Sequence, residues 1–141
     1  MTRKMRMSML ALVAVSVAMA LYWSGLWPAT RQAGEARPMV AVVVPALEGD
    51  AISGARVFAD KCASCHGDNA TGLEGLAPPL IHKFYVPSHH GDAAFYRAAE
   101  LGVRAHHWRF GNMPPVEGIT RAEVGTIIAY VRALQQANGM F

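Results

Sequence analysis

The sequence contains few charged residues and only two cysteines. Charged residues make up 16% of the 141 positions, whereas 52% are hydrophobic, and the mean hydropathy is +0.19. Such a chain is too apolar to be disordered and is apolar for a soluble domain, which indicates contact with a membrane. The length excludes a TIM barrel and a multidomain enzyme, and leaves room for one modest domain with an appendage.

The chain also lacks a basic surface that extends along its length. The net charge of +3 comes from Arg3, Lys4 and Arg6, because ten basic and ten acidic residues lie beyond position 30. No stripe of Lys and Arg with interleaved aromatic residues is left, so no nucleic-acid partner is expected.

The residues from Met7 to Trp27, part of an uncharged stretch that continues until Arg31, predict a membrane anchor. These 21 residues would span about 30 Å as a helix, close to the hydrocarbon thickness of a bilayer. The preceding basic residues predict a single pass with a cytoplasmic N-terminus and a periplasmic remainder. The alternative is a cleavable signal peptide, since Ala18-Met19-Ala20 suits signal peptidase, and this would release a soluble periplasmic protein.

The remainder of the chain divides by composition. Residues 1–27 are assigned to the anchor or signal peptide, residues 28–49 to a linker containing Pro, Gly and Ala, and residues 50–141 to a domain. Within the linker, the apolar run from Met39 to Val44 has two interpretations. It is either an extended segment lying against the domain or a poorly solvated part of the linker.

Helical patterns dominate the domain, and strand patterns are nearly absent after residue 50. The predicted helices begin at a cap formed by Asp50 or Ser53, at a cap formed by Asp92, and at the capping box Thr120 and Glu123. The third helix has apolar residues on one face and is expected to stop at Gly139. The domain is therefore predicted to be all-α.

The two cysteines lie in Cys62-Ala63-Ser64-Cys65-His66. They are too close in sequence to stabilise a fold by loop closure, which indicates a chemical role. Two thiols at this spacing can each add to a vinyl group of one haem, and the adjacent His66 is then held beneath the iron. A zinc site or a redox dithiol is the alternative, but a second cysteine pair and a βαβ context are both missing.

Counting methionines identifies a candidate for the sixth iron ligand. Six of the eight methionines precede the domain, and Met140 is the penultimate residue, where chain ends fray. The remaining one, Met113, is followed by Pro114 and Pro115, which stiffen the loop that would hold its thioether on iron. His66 and Met113 are thus the predicted metal ligands.

With these motifs, residues 50–141 resemble the single-haem class I c-type cytochromes, here of a membrane-anchored bacterial type. Gly54 and Phe58 match the first helix of that family, and Ile127 and Tyr130 match the last. The resemblance implies a fold in which the N- and C-terminal helices cross near Gly54, with the haem in a crevice, behind one N-terminal transmembrane helix. A glycine at such a crossing lets two helix axes approach closely, and Gly125 is expected to help there.

The resemblance also implies a role for Pro78. In similar proteins a proline at this distance after the histidine offers its carbonyl to the other ring nitrogen, which orients the imidazole. Pro79 is the adjacent candidate. Trp108 and Arg109 precede the Met113 loop and either line the haem crevice or serve as packing and solvated surface.

The six histidines all fall between positions 66 and 107, and here the chain departs from the plain family pattern. Two interpretations remain open for them. In the first, they form a second metal site, of copper, or one of them replaces Met113 as an iron ligand. In the second, they are exposed polar residues on loops around the haem. The residues concerned are His82, His89, His90, His106 and His107.

An iron with both axial positions filled leaves no place for a substrate, so the expected function is one-electron transfer, not enzymatic catalysis. The chain is expected to pass electrons between membrane respiratory or oxidase partners on the outer face of the cytoplasmic membrane, alone or as a subunit of an oxidoreductase complex. Its redox partners would be an oxidase, a reductase or a copper oxidase, with no small-molecule substrate. A catalytic or gas-sensing haem protein with an open iron, and a copper-handling protein, are the alternatives.

Overall fold

A computed structural model of the chain describes residues 15, 16, 19, 20 and 36–141. The chain forms two compact units, Met1–Glu35 and Ala36–Phe141. In the first unit the four described residues are helical, and the rest of the predicted anchor or signal peptide lies outside the described residues. None of the helices that can be described is both long and apolar enough to span a membrane.

The second unit is built from four α-helices. They are α1 (Asp50–Lys61), α2 (Ala63–His66), α3 (Asp92–Leu101) and α4 (Arg121–Ala137), with two 3-10 turns at Asp68–Ala70 and Lys83–Tyr85. Between residues 36 and 141 the only β-pairings are isolated bridges, Pro38 with Leu73, Leu73 with Ala77, and Val103 with Met113. The prediction of a helical domain is therefore confirmed for this unit.

The predicted caps of the first two helices, Asp50 or Ser53 and Asp92, are wrong, because the N-cap of each helix is a glycine that precedes them. Helix α1 is capped by Gly49 without a side-chain bond, and the Ser53 hydroxyl donates to the Asp50 carbonyl. Helix α3 is capped by Gly91, because the Asp92 carboxylate accepts hydrogen bonds from Arg132 in α4 instead. The Asp92 side chain, which the sequence pattern assigns to a cap, therefore forms an ion pair with a distant helix instead.

The predicted start of α4 is confirmed. Thr120 accepts a hydrogen bond from the Glu123 amide, and the Glu123 carboxylate accepts one from the Thr120 amide, which together form a capping box. The helix ends before Gly139, whose φ of +73° suits a residue without a side chain.

Helices α1 and α4 pack together at Gly54, as predicted. A Cβ atom added there would lie 1.9 Å from the Thr126 carbonyl oxygen and 3.0 Å from the Tyr130 Cβ. Only glycine permits this approach, and the Phe58 and Tyr130 rings meet below it with centroids 5.6 Å apart. Gly125, expected at the same contact, instead faces the Tyr96 hydroxyl of α3.

The segment from Ala36 to Gly49, here called the strap, lies within the compact unit although the sequence assigns it to the linker. Its backbone amides at Met39 and Val40 donate to the Thr71 carbonyl. At its other end, the Asn138 side chain bonds both the amide and the carbonyl of Val43. The structure therefore supports the first interpretation of the Met39 to Val44 run, an extended segment that lies against the domain.

Candidate cofactor site

A cavity of about 690 Å³ lies between α1, α3, α4 and the loops that join them. Its walls include Cys62, Cys65, His66 and Met113, which the sequence predicts as site residues. Apolar side chains supply much of the remaining lining, including Phe58, Phe95, Leu101, Val124 and Ile127. The fold thus brings the predicted residues of two separate segments to one apolar cavity.

The two cysteines lie where α1 gives way to α2. Cys62 ends α1 with its amide bonded to the Phe58 carbonyl, and Cys65 lies one turn later in α2. Cys62 is half-buried, Cys65 is exposed, and both thiols are free. Burial and the neighbouring Cys65 raise the pKa of the Cys62 thiol to about 11, so it is protonated at neutral pH.

His66 occupies the last position of α2, and its ring is held by the loop that follows. Its Nδ1 donates to the Pro78 carbonyl oxygen at 2.9 Å. Because a carbonyl only accepts hydrogen bonds, Nδ1 carries the proton and Nε2 keeps its lone pair. Burial lowers the pKa of His66, with the Pro78 hydrogen bond acting in the opposite direction, so the imidazole is neutral and ready to act as a ligand.

Met113 is fixed by its backbone. Its amide and carbonyl pair with the carbonyl and amide of Val103, at 3.0 and 2.9 Å. Gly102 lies directly against this pair, since a Cβ added to it would lie 2.5 Å from the Met113 carbonyl oxygen. The end of α3 therefore positions the methionine loop on the wall of the cavity.

Of Trp108 and Arg109, for which the sequence leaves two interpretations open, only Trp108 lines the cavity. Its ring stacks on Phe110, and its buried Nε1 lies near the Tyr85 side chain. Arg109 is exposed and does not line the cavity, whereas Arg97 and Arg104 do. Sequence reasoning missed these two arginines, because neither belongs to a motif, and only the direction of α3 brings them to the rim.

The residues of the cavity fit a covalently attached haem. Two free thiols one helical turn apart, an imidazole with a free Nε2 and a thioether face one apolar space. The rim arginines Arg97 and Arg104 suit the carboxylates that haem carries at one edge. These are the sulfur and nitrogen donors that hold haem iron and its vinyl groups.

The remaining histidines lie on one side of this cavity. His90, His106 and His107 line it, and His89 lies beside them on the surface. His82 packs edge-on against Phe84 and Trp108, and burial, followed by the charge of Lys83, lowers its pKa. The structure therefore gathers the histidine doublets and places His82 in an aromatic contact.

Comparison with known proteins identifies the same region. The family model described as Cytochrome c matches residues 51–135. FixP, a subunit of the cbb3-type cytochrome c oxidase of a Bradyrhizobium strain, is 44% identical over 94 residues, covering 64% of this chain and 30% of the relative. The corresponding CcoP subunit of Cereibacter sphaeroides is 34% identical over 83 residues, covering 57% of this chain and 26% of the relative.

A further relative is covered to a similar extent. CcoP of Rhodobacter capsulatus is 31% identical over 96 residues, which are 64% of this chain and 31% of that protein. The chain thus spans between a quarter and a third of the length of the curated relatives that it matches. No solved structure matches it.

Proposed function

Because this chain belongs to the cytochrome c family, whose cofactor is covalently attached haem c, we propose that it carries single electrons with His66 and Met113 as axial ligands. Cys62 and Cys65 would supply the two thioether bonds. When bound, haem c supplies a one-electron couple between ferric and ferrous iron. The proposal is that of an electron carrier and not of an enzyme.

One observation carries this proposal. His66 and Met113 lie far apart in the sequence, on α2 and on the loop after α3, yet both line the same cavity. A site with an open iron would need an axial position free of protein ligands. Met113 on the cavity wall therefore favours electron transfer over gas sensing or catalysis.

The chain holds both proposed ligands rigidly. Pro78 fixes the His66 ring through Nδ1, and the backbone pair with Val103 fixes the Met113 loop. A coordination sphere held in this way changes little when the iron changes charge, which keeps the reorganisation on electron transfer small. The apolar lining and the thioether both favour the reduced state and raise the reduction potential.

The proposed partners are membrane redox proteins, with a terminal oxidase first among them. The support comes from the relatives, which are subunits of cbb3-type cytochrome c oxidases. We place the haem domain in the periplasm, behind the N-terminal anchor predicted at residues 1–27, with signal cleavage as the alternative. Anchoring would raise the effective concentration of the carrier near its partners.

The ligand assignment is tested by the absorption spectrum of ferric holoprotein matured in a host that attaches haem c. A weak far-red band from the bond between methionine sulfur and iron is expected. Met113→Ala should abolish the band and lower the reduction potential, because the thioether favours the reduced iron. Met140→Ala is the matched control and should change neither; a band that survives in Met113→Ala contradicts the assignment.

The partner assignment has its own test. Dithionite-reduced holoprotein, freed of reductant, is mixed with a purified cbb3-type oxidase in the presence of oxygen, and its oxidation is followed spectroscopically. We expect oxidation well above the rate without oxidase. An unchanged rate with oxidase, alongside rapid exchange with a small artificial acceptor, would leave the carrier function intact and contradict the partner.

A further inference from the structure

Three histidines outside the proposed iron ligands form a compact group, here called the histidine cluster. One ring nitrogen from each of His89, His90 and His107 lies within 4.8 Å of the other two. His89 is exposed and the other two are half-buried. The cluster joins the turn before α3 to the loop that follows α3, so only the tertiary structure assembles it.

The spacing of the nitrogens suits a metal ion. The Nε2 atoms of His89 and His107 lie 3.2 Å apart. Two imidazole nitrogens bound tetrahedrally at about 2.0 to 2.1 Å lie about 3.3 Å apart, so a cation fits between these two with little movement. As a hydrogen bond, this contact has one Nε2 as donor and the other as acceptor.

The position of the proton on the His90 ring is fixed by the backbone. Its Nδ1 donates to the Phe84 carbonyl oxygen. Since that nitrogen carries the proton, Nε2 keeps a lone pair, as in metal sites whose histidines are oriented by a backbone carbonyl. The same arrangement orients His66 through Pro78.

The other elements of the cluster are also held in place. The His107 ring stacks on the Phe84 ring, with centroids 4.3 Å apart and planes 18° from parallel. The turn that carries His90 is fixed because Arg132 donates to the His90 carbonyl at 2.8 Å. The loop that carries His106 and His107 is closed by Asn112, whose side chain accepts a hydrogen bond from the Ala105 amide at 2.9 Å.

We propose that His89, His90 and His107 form a binding site for one divalent transition-metal ion of the zinc or copper type. Imidazole nitrogens suit these ions, and the cluster holds no carboxylate, so Mg²⁺ and Ca²⁺ are excluded. Three ligands leave a fourth coordination position open to water or to another ligand. Because His90 and His107 also line the cavity, the ion would lie beside the cofactor site.

The test is calorimetric titration of untagged ferric holoprotein with Zn²⁺, with Cu²⁺ and with Mg²⁺. Holoprotein is used because attached haem removes the cysteine thiols, which bind zinc themselves. We expect one Zn²⁺ and one Cu²⁺ per chain, with Cu²⁺ bound more tightly, and no Mg²⁺. Binding of Mg²⁺ with similar affinity, or no saturable binding of either transition metal, would overturn the proposal.

Variants then locate the site. His89→Gln is the decisive one, because His89 is exposed and its loss leaves the core intact. We expect His89→Gln and His107→Gln each to weaken zinc binding at least about tenfold. His106→Gln is the matched control, adjacent to His107 but outside the three-nitrogen group, and should retain affinity within about threefold.

Equal losses in the control and the cluster variants would overturn the three-ligand assignment, and so would unchanged affinity in His89→Gln. Retention of the far-red band in His89→Gln would separate this site from the iron ligands. Zinc should also raise the thermal midpoint of the wild-type holoprotein, because it binds only the folded chain, and should raise it less in His89→Gln.

Discussion

The Pro78 carbonyl oxygen accepts a hydrogen bond from Nδ1 of His66 at 2.9 Å, and the two residues are twelve positions apart in the chain. The intervening loop folds back on the same histidine, since the Gly72 amide donates to the His66 carbonyl at 2.6 Å. Ring and backbone of His66 are therefore held by one loop. Movement of that loop would change the orientation of the imidazole.

The first prediction concerns Gly72, which holds Pro78 in place. Its φ is +68°, and an added Cβ would lie 2.4 Å from the Pro79 nitrogen and 2.8 Å from the Pro78 carbonyl carbon. Gly72→Ala should lower the free energy of unfolding of the holoprotein by about 2 to 5 kcal/mol, combining backbone strain with overpacking. Urea unfolding followed at the haem absorbance measures this.

Gly75 is the matched control for Gly72. Its φ is +78°, and nothing lies within 4 Å of an added Cβ. Gly75→Ala should therefore lower the free energy of unfolding only by the backbone strain, about 1 to 2 kcal/mol. If the two variants lost equal stability, the contact between Gly72 and the proline pair would have no measurable effect.

The second prediction concerns the packing of α1 on α4. Gly54→Ala places a methyl group 1.9 Å from the Thr126 carbonyl oxygen, which forces the helices apart. The loss in unfolding free energy should reach about 3 kcal/mol or more, far above the gain of about 1 kcal/mol from replacing a helical glycine. Thermal unfolding followed by circular dichroism gives the comparison.

Gly125→Ala is the control, because it is also a helical glycine. Its added Cβ would lie 3.2 Å from the Tyr96 hydroxyl, at the far end of a side chain that can turn away. We expect a change between zero and about 1 kcal/mol of stabilisation. Destabilisation as large as that of Gly54→Ala would contradict the assignment of the close approach to Gly54.

The third prediction concerns the strap. The Asn138 side chain accepts from the Val43 amide at 2.9 Å and donates to the Val43 carbonyl at 2.8 Å. Asn138→Ala should cost about 1 to 2 kcal/mol and make the strap cleavable under limited proteolysis. Gln136→Ala, exposed in the same turn, should leave the cleavage pattern unchanged; equal cleavage in both would show that Asn138 does not hold the strap.

The fourth prediction concerns pH and the cap of α4. Hydrogen bonds from the backbone and hydroxyl of Thr120 lower the pKa of the Glu123 carboxyl. A carboxyl with a lowered pKa stabilises the folded state above its ordinary pKa of about 4, and this contribution disappears as the pH falls through the lowered value. Glu123→Gln should therefore be less stable than wild type at pH 7.

The difference in unfolding free energy between Glu123→Gln and wild type should shrink as the pH falls below about 4. Thr120→Ala, which removes the hydroxyl of the cap, should cost about 1 kcal/mol at pH 7. Chemical unfolding of the variants across this pH range provides the measurement. A difference that is constant with pH would contradict the role of the charged carboxylate.

The sequence by itself determined the features that depend on neighbouring residues. The spacing of Cys62, Cys65 and His66 requires only one helical turn, and the Thr120 and Glu123 box is completed within one turn of α4. The periodic apolar face of α4 also reads directly from the chain, since Val124, Ile127, Ile128 and Val131 are all buried. Local hydrogen bonding and helical periodicity suffice for these.

The tertiary structure decided what depends on contacts between distant segments. Asp92 is a residue type that commonly caps a helix. Its carboxylate instead accepts a hydrogen bond from Arg132, 40 residues later, because a charged donor outcompetes a local amide. The strap lies against the domain because Asn138 and Thr71 satisfy its backbone. The histidine cluster exists only because α3 turns His90 and His107 toward one another, and no spacing in the sequence encodes that distance.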